Sequence, residues 1–435
     1  MENTLNRQLL ADIAASPTAF HAVATAAARL ERSGYCRVDA ARDWSLQGGG
    51  RYYFTVNDST LIAFRLPQGT PTGFIITASH SDSPAFKIKA NPQRTAAGHY
   101  VQLNTERYGG MLLSTWLDRP LGIAGRLLVE EDGRVVSRLV YPARNLAIIP
   151  SVAPHLNSDA NNGFKLNAAV DTYPLFSTAE SGGDLMDLLA HEAGMDKERI
   201  LSHDLYLVCR DGGANLGAGE EFLCSPRLDD LGCAFGCLEG FLTASGSDAA
   251  AVYCLFDNEE VGSSTKQGAA STLLRDTLRR IFHALGGGEA YWQRLLGGSF
   301  LVSADNAHAR HPNHPELSDE QNCPYLNGGL VVKYNANQRY TTDGVSDALL
   351  RQLCREAGVP LQRYANRSDL PGGSTLGSIA TTQVPIRAVD IGLAQLAMHS
   401  CYETMGSADY AHLVRAMTAL YSRSLITEGS SWMWN

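Results

Sequence analysis

The chain has 435 residues, 44% hydrophobic and 19% charged, which supplies enough apolar material for a large core and excludes a disordered chain. Asp and Glu (45) outnumber Lys and Arg (36), for a formal net charge of −9, and no basic cluster interleaves with aromatics, so no nucleic-acid partner is expected. No apolar run approaches membrane-spanning length, MENTLNRQLL lacks the regions of a signal peptide, and the nine cysteines are scattered, which together predict reduced thiols, a cytoplasmic location and no membrane partner.

Residues 3–15 carry Leu5, Leu9, Leu10 and Ile13 at helical spacing, and Ser16-Pro17 open a second helix that Gly34 stops. Strands are predicted over 52–56 and 61–66, on either side of Asn57-Asp58. A buried strand over 74–79 delivers His80 and Asp82 in ASHSDSP. A histidine there can bind a metal through one ring nitrogen while a nearby carboxylate fixes its tautomer. The alternative is a turn cluster.

From about 91 to 219 short β-like pieces alternate with Gly, Pro and Asn, with a polar loop over 155–163 and a short helix over 184–193. DGGANLGAG lacks both the G-K-[ST] ending of a phosphate loop and the dinucleotide glycine spacing. The segment reads as an inserted, mostly β domain.

Ser225-Pro226-Arg227 open a helix over 228–244, with Asp229 and Asp230 at its start, where the helix dipole favours carboxylates. The apolar strand over 251–256 then runs into Asp257, Asn258, Glu259 and Glu260, and Gly262 permits a sharp turn. Adjacent carboxylates at a strand end point in different directions, so one can hold a metal while its neighbour takes a proton from water. A solvated acidic loop is the alternative.

A helix over 267–285 and a strand over 299–304 ending in Asp305 follow. His308, His311 and His314 are spaced through prolines, which is not helical and argues against ligation. Further on come a strand over 328–335 with Lys333, a helix over 346–357, a strand over 385–391 followed by His399, and a closing helix over 409–424.

His80, the Glu259–Glu260 pair, Asp305 and His399 thus recur at or just after core strand ends, with Asp229 at a helix start. Ligands gather at the strand ends of an open α/β sheet. Two His with several carboxylates suit Zn²⁺, Mn²⁺ or Co²⁺, and suffice for two sites sharing a carboxylate. The pattern points to a two-metal hydrolase.

ASHSDSPAFKIK, SPRLDDLGCAF, FDNEEVGS, SADNAHARHPN, KYNANQRY and LAQLAMHS, in this order, resemble the aspartyl aminopeptidase family of dinuclear zinc metallopeptidases. The resemblance implies an α/β fold: an open mixed sheet flanked by helices, in a catalytic domain (1–90 and 220–435) split by a β-rich dimerisation domain (91–219). It implies self-association, often as a dodecameric shell. His80 and Asp305 would hold one metal, Glu260 and His399 the other, and Asp229 would bridge, with a cis peptide after it. Glu259 would be the catalytic base and Asp82 the partner of His80. Lys333, with Tyr340 beside it, would meet an acidic N-terminal side chain, and His155 would reach a neighbouring subunit's site. The implied reaction is removal of N-terminal Asp or Glu from peptides with a free N-terminus, by a water activated between two divalent ions. Another two-metal hydrolase (a deacylase or carboxypeptidase) and a catalytically silent shell-forming protein are the alternatives.

Overall fold

Nine strands form the central sheet of the computed structural model, which describes residues 2–435. Its middle strands, Ala250–Phe256, Phe74–His80, Phe300–Ala304 and Arg387–Gly392, lie side by side and parallel. The first three are buried along their whole length, as continuous apolar runs covered on both faces should be. Alternate residues sort to the two faces. Ala251, Tyr253 and Leu255 meet helices Ala19–Arg32, Leu228–Thr243, Gly344–Glu356 and Asp409–Tyr421. Val252, Cys254 and Phe256 meet helices Leu273–Ala284, Glu289–Gly297 and Leu376–Gln383. Truncating a leucine buried like Leu255 costs about 2–5 kcal/mol.

The second sheet has six strands and its pairings are antiparallel: Arg134–Val140, Leu121–Glu131, Ile200–Cys209, Ala85–Ala96, Tyr100–Tyr108 and Leu175–Thr178, in that order. It packs with helix Leu185–Glu192 around a core of its own. Its strands span 85–209, whereas the sequence reading set the insertion at 91–219. The glycine-rich run after it supplies Ala214–Leu216 to a third, five-stranded sheet that also holds Ala394–Leu396 and Glu403–Gly406.

Two local expectations are corrected. The helix predicted from 267 begins at Leu273, because the Gln267 carbonyl accepts the Thr60 hydroxyl at 2.7 Å and its amide donates to Asn258 at 3.0 Å. Asp229 and Asp230 lie within the Leu228–Thr243 helix span but have non-helical backbone angles, and the bond between them is cis. They are therefore not ordinary first-turn carboxylates facing a helix dipole.

Candidate metal centre

The parallel strands end on one edge of the sheet, and the candidate residues leave from it. His80 ends the Phe74–His80 strand, and Asp305 directly follows Phe300–Ala304. After Ala250–Phe256 the chain turns through Asn258, at φ 63°, into the single turn Glu259–Val261. Asp229 enters from the helix on one face, and His399, at φ 66°, from the loop after Ala394–Leu396. A non-glycine residue in this region costs roughly 1–3 kcal/mol, so surrounding contacts must hold it. For His399 those contacts are a hydrogen bond from its backbone N–H to the Glu403 carboxylate (2.8 Å) and from Nδ1 to the Gly110 carbonyl (2.5 Å).

Asp229 sits between the two histidines. Its Oδ1 lies 3.6 Å from His80 Nε2 and its Oδ2 lies 3.5 Å from His399 Nε2. His80 Nε2 is also 3.9 Å from Asp305 Oδ1, and His399 Nε2 is 3.3 Å from Glu260 Oε2. Donor atoms about 2.0–2.1 Å from a tetrahedral zinc stand about 3.3 Å from one another, so these separations suit atoms gathered around an ion. Both histidines use Nδ1 on a backbone carbonyl, His80 on that of Asp82 at 3.0 Å, which leaves each Nε2 facing the carboxylates.

The electrostatics also fit cations. Asp229 Oδ1, Asp230 Oδ1 and Glu260 Oε1 are buried without a hydrogen-bond partner. Such oxygens are costly to bury unless protonated or coordinated. Burial pushes Glu259 up to about 8 and carries Glu260 well above the usual carboxylate range. Burial works against the charge of His399, yet Asp229 and Glu260 raise it to about 10. Burial likewise opposes ionisation of Asp229, but His399 and His80 hold its carboxyl below the normal range. Among the described residues, possible donor groups include His80 with Asp229, Asp230 and Asp305, and Asp229 with Glu260 and His399. An oxygen-rich set with imidazoles and no thiolate suits zinc, manganese or cobalt.

Asp82 performs more than one task. Its carboxylate approaches His80 Nδ1 at 3.4 Å and accepts the backbone N–H groups of Glu259 and Glu260, each at 3.2 Å. It also accepts the Tyr108 hydroxyl at 2.6 Å. Lys333 is buried: its Nζ donates to the carbonyls of Asp305 (2.7 Å) and Asn306 (3.1 Å), and lies 3.6 Å from Asp305 Oδ2. The Tyr340 ring centroid is 5.2 Å from that ammonium. His155 sits apart from these residues, on an exposed loop of the insertion.

Four contributors were not identified from the sequence as parts of the site. Glu403 clamps two proposed ligands at once, accepting the N–H groups of Asp229 (2.9 Å) and His399 (2.8 Å). The Asp230 carboxylate accepts the His80 N–H at 3.1 Å. Tyr108 and Gly110 come from the end of a strand in the second sheet and the turn after it. Gly109, at φ 76°, lies where an added Cβ would stand 3.1 Å from the Glu260 Cβ, so this backbone must pass close to a proposed ligand. The only sequence signal for them is the Gly109-Gly110 pair among the β-like pieces of this segment. Of the three spaced histidines, His308 is exposed at the end of the short Ala307–His308 strand, with Asp229 and His399 within its electrostatic reach. His311 and His314 lie on an exposed loop with their rings 5.4 Å apart and tilted by 37°.

The family described as aminopeptidase I zinc metalloprotease (M18) matches residues 13–421. The chain belongs to the M18 family. A Clostridium acetobutylicum protein described as a "probable M18 family aminopeptidase 2" is 41% identical over 432 residues, covering 97% of this chain and all of that one. A Pseudomonas aeruginosa relative with the same description is also 41% identical, over 98% of this chain and 99% of its own. Among solved structures, the Ape4 of an Ape4–Nbr1 complex superposes with a TM-score of 0.93 at 36% identity, over 97% of this chain and 86% of that one. An S. cerevisiae mApe1 dodecamer superposes at 0.84 with 28% identity, over 96% of each chain. This M18 member is thus a zinc metalloaminopeptidase with the mixed α/β fold of its family. Among the described residues no helix is long and apolar enough to cross a membrane.

Proposed function

We propose that this M18 aminopeptidase removes N-terminal Asp and Glu from peptides with a free N-terminus, at a centre that holds two divalent ions. The observation carrying the two-ion reading is Asp229, whose two oxygens face different histidines. His80 and Asp305 would hold one ion, Glu260 and His399 the other, and Asp229 both. Bound zinc would polarise the scissile carbonyl and make water a stronger acid. Glu259 takes the proton of the attacking water and returns it to the leaving amine. Asp82 and Tyr108 position Glu259 through the hydrogen bond to its backbone and the one that anchors Asp82.

Lys333 supports the acidic preference. It is a buried cation whose nearest carboxylate is Asp305 at 3.6 Å, with Tyr340 against it. Burial works against its charge, but Asp305 and Tyr340 raise its pKa, so it stays an ammonium at neutral pH. The insertion, as a separate domain, is the proposed self-association surface. Its 152–170 stretch exposes Val152, Leu156 and Val170, with Leu156 at 84%. His155 lies in that stretch, where it would reach a neighbouring copy. Nothing in the centre calls for a nucleic-acid or membrane partner, and the proposed setting is the cytoplasm.

The test is metal analysis of the purified protein with assays on Asp-, Glu-, Leu- and N-acetyl-Asp-peptides, before and after chelation. Two ions per subunit, chelator-sensitive release of free N-terminal Asp and Glu, and no action on the acetylated peptide are expected. One ion per subunit at full activity overturns the two-ion reading. Leu released as fast as Asp overturns the acidic preference.

A further inference from the structure

Behind the metal centre, where the second sheet meets the catalytic fold, lies a cavity of about 50 Å³. Space for one water needs about 10–15 Å³ on this measure, so the cavity admits a few molecules of that size. Cys209 and Cys401 both line it, and both are buried. Cys209 ends the Ile200–Cys209 strand of the second sheet, and Cys401 lies in the loop that carries His399. Each thiol lies within the other's electrostatic reach. The flanking chain confirms the register: the Tyr402 hydroxyl donates to the Gly212 carbonyl at 2.8 Å.

We propose that Cys209 and Cys401 are an oxidisable pair, and that hydrogen peroxide entering this cavity joins them in a disulfide that lowers aminopeptidase activity. Peroxide is close to water in size, so the cavity admits it. Cys209 sulfur attacks one peroxide oxygen, the O–O bond breaks, and a sulfenic acid and one water result. Cys401 sulfur then attacks that sulfur, the S–O bond breaks, and a second water leaves. Two thiols lose two electrons and one peroxide gains them. The geometry supports Cys209 as the first nucleophile: the Arg227 guanidinium lies beside it, with Nη1 donating to the Cys209 carbonyl at 3.3 Å.

The effect on activity follows from what the bond would pull. The segment around Cys401 is already fixed at both ends: its own N–H donates to Thr115 Oγ1 at 2.9 Å, and His399 is held by Gly110 and Glu403. Bringing the two sulfurs to bonding distance shifts this segment against those anchors. Displacing a catalytic group by about 1 Å can cost about 100-fold. A loss of about ten- to a hundredfold in kcat/KM is expected.

The experiment treats the zinc-loaded protein with hydrogen peroxide, alkylates free thiols under acid denaturation, and maps peptides without reduction. The expected result is a Cys209–Cys401 cross-linked peptide that accumulates as activity falls and vanishes as dithiothreitol restores it. C401A should keep its basal activity, resist that loss, and carry a dimedone-trapped sulfenic acid at Cys209. Recovery of both cysteines as alkylated thiols after treatment overturns the proposal. So does a cross-link without loss of activity, or an equal loss in C401A. If C401A does not fold, the peptide map and the dithiothreitol reversal on the protein that keeps both Cys209 and Cys401 decide alone. Exposed Cys36 and partly exposed Cys323 are changed to serine in every sample, so that cross-links between copies do not enter.

Discussion

The two large sheets solve different problems. The nine-stranded sheet is covered on both faces and its middle strands are parallel, so its strands read as unbroken apolar runs that end abruptly in His80, Asp257 or Asp305. The six-stranded sheet is antiparallel, and its outer strand Arg134–Val140 is largely exposed. The first delivers donor atoms from strand ends fixed by burial on every side. The second delivers none of the proposed ligands, yet its Tyr108 and the Gly110 turn beside it touch three residues of the centre. Rigidity places the donors, and the more exposed sheet closes over them.

If this division holds, effects should shrink with distance from the covered strand ends. The largest is expected for Asp229→Ala, which should remove both ions and abolish activity. Full metal content and activity in that variant would break the bridge. Next is Glu259→Gln, with a loss of about 10²–10⁴ in kcat and both ions retained. Glu260→Gln should instead weaken one ion, and the reverse result, read by metal analysis, would exchange the two roles.

A smaller effect is expected at Lys333. Hydrogen bonds to charged groups contribute about 1.5–3 kcal/mol, so Lys333→Met should cost about ten- to a hundredfold in kcat/KM on Asp-peptides. Asn- and Leu-peptides should lose far less. Equal losses on all three, or a lost ion, would make Lys333 a support for Asp305 alone. In the exposed 152–170 stretch, Leu156→Asp with Val170→Asp should leave the metal content intact and yield smaller species in sedimentation. An unchanged assembly would move the self-association surface elsewhere.

The smallest effect is on stability. Burial, aided by the charge of Arg227, holds His21 down to about 4 from 6.5. The unfolded chain therefore binds this proton before the native one does, so the contribution is complete above pH 6.5 and is lost as pH falls towards 4. About 1–3 kcal/mol is involved, after allowing for partial exposure of His21. The difference in unfolding free energy between the unaltered protein and His21→Phe should change over this window and be flat above it. A flat difference throughout would place His21 in solvent.

By itself, the sequence determined the elements in which burial and periodicity agree. The apolar runs before His80, Glu259 and Asp305 could only be covered strands, and they brought the proposed donors to one edge of the sheet. It also carried the six motifs that mark the M18 family. Tertiary structure alone decided which groups hold those donors in place. Glu403 reaches back to Asp229 across 174 positions, and Gly110 meets His399 across 289. The cavity that Cys209 and Cys401 share likewise lies between a strand of the second sheet and a loop of the third, whose meeting no local pattern encodes. Periodicity records what a residue does within its own strand or helix; a hydrogen bond between distant turns depends on how the sheets pack, and leaves no period to read.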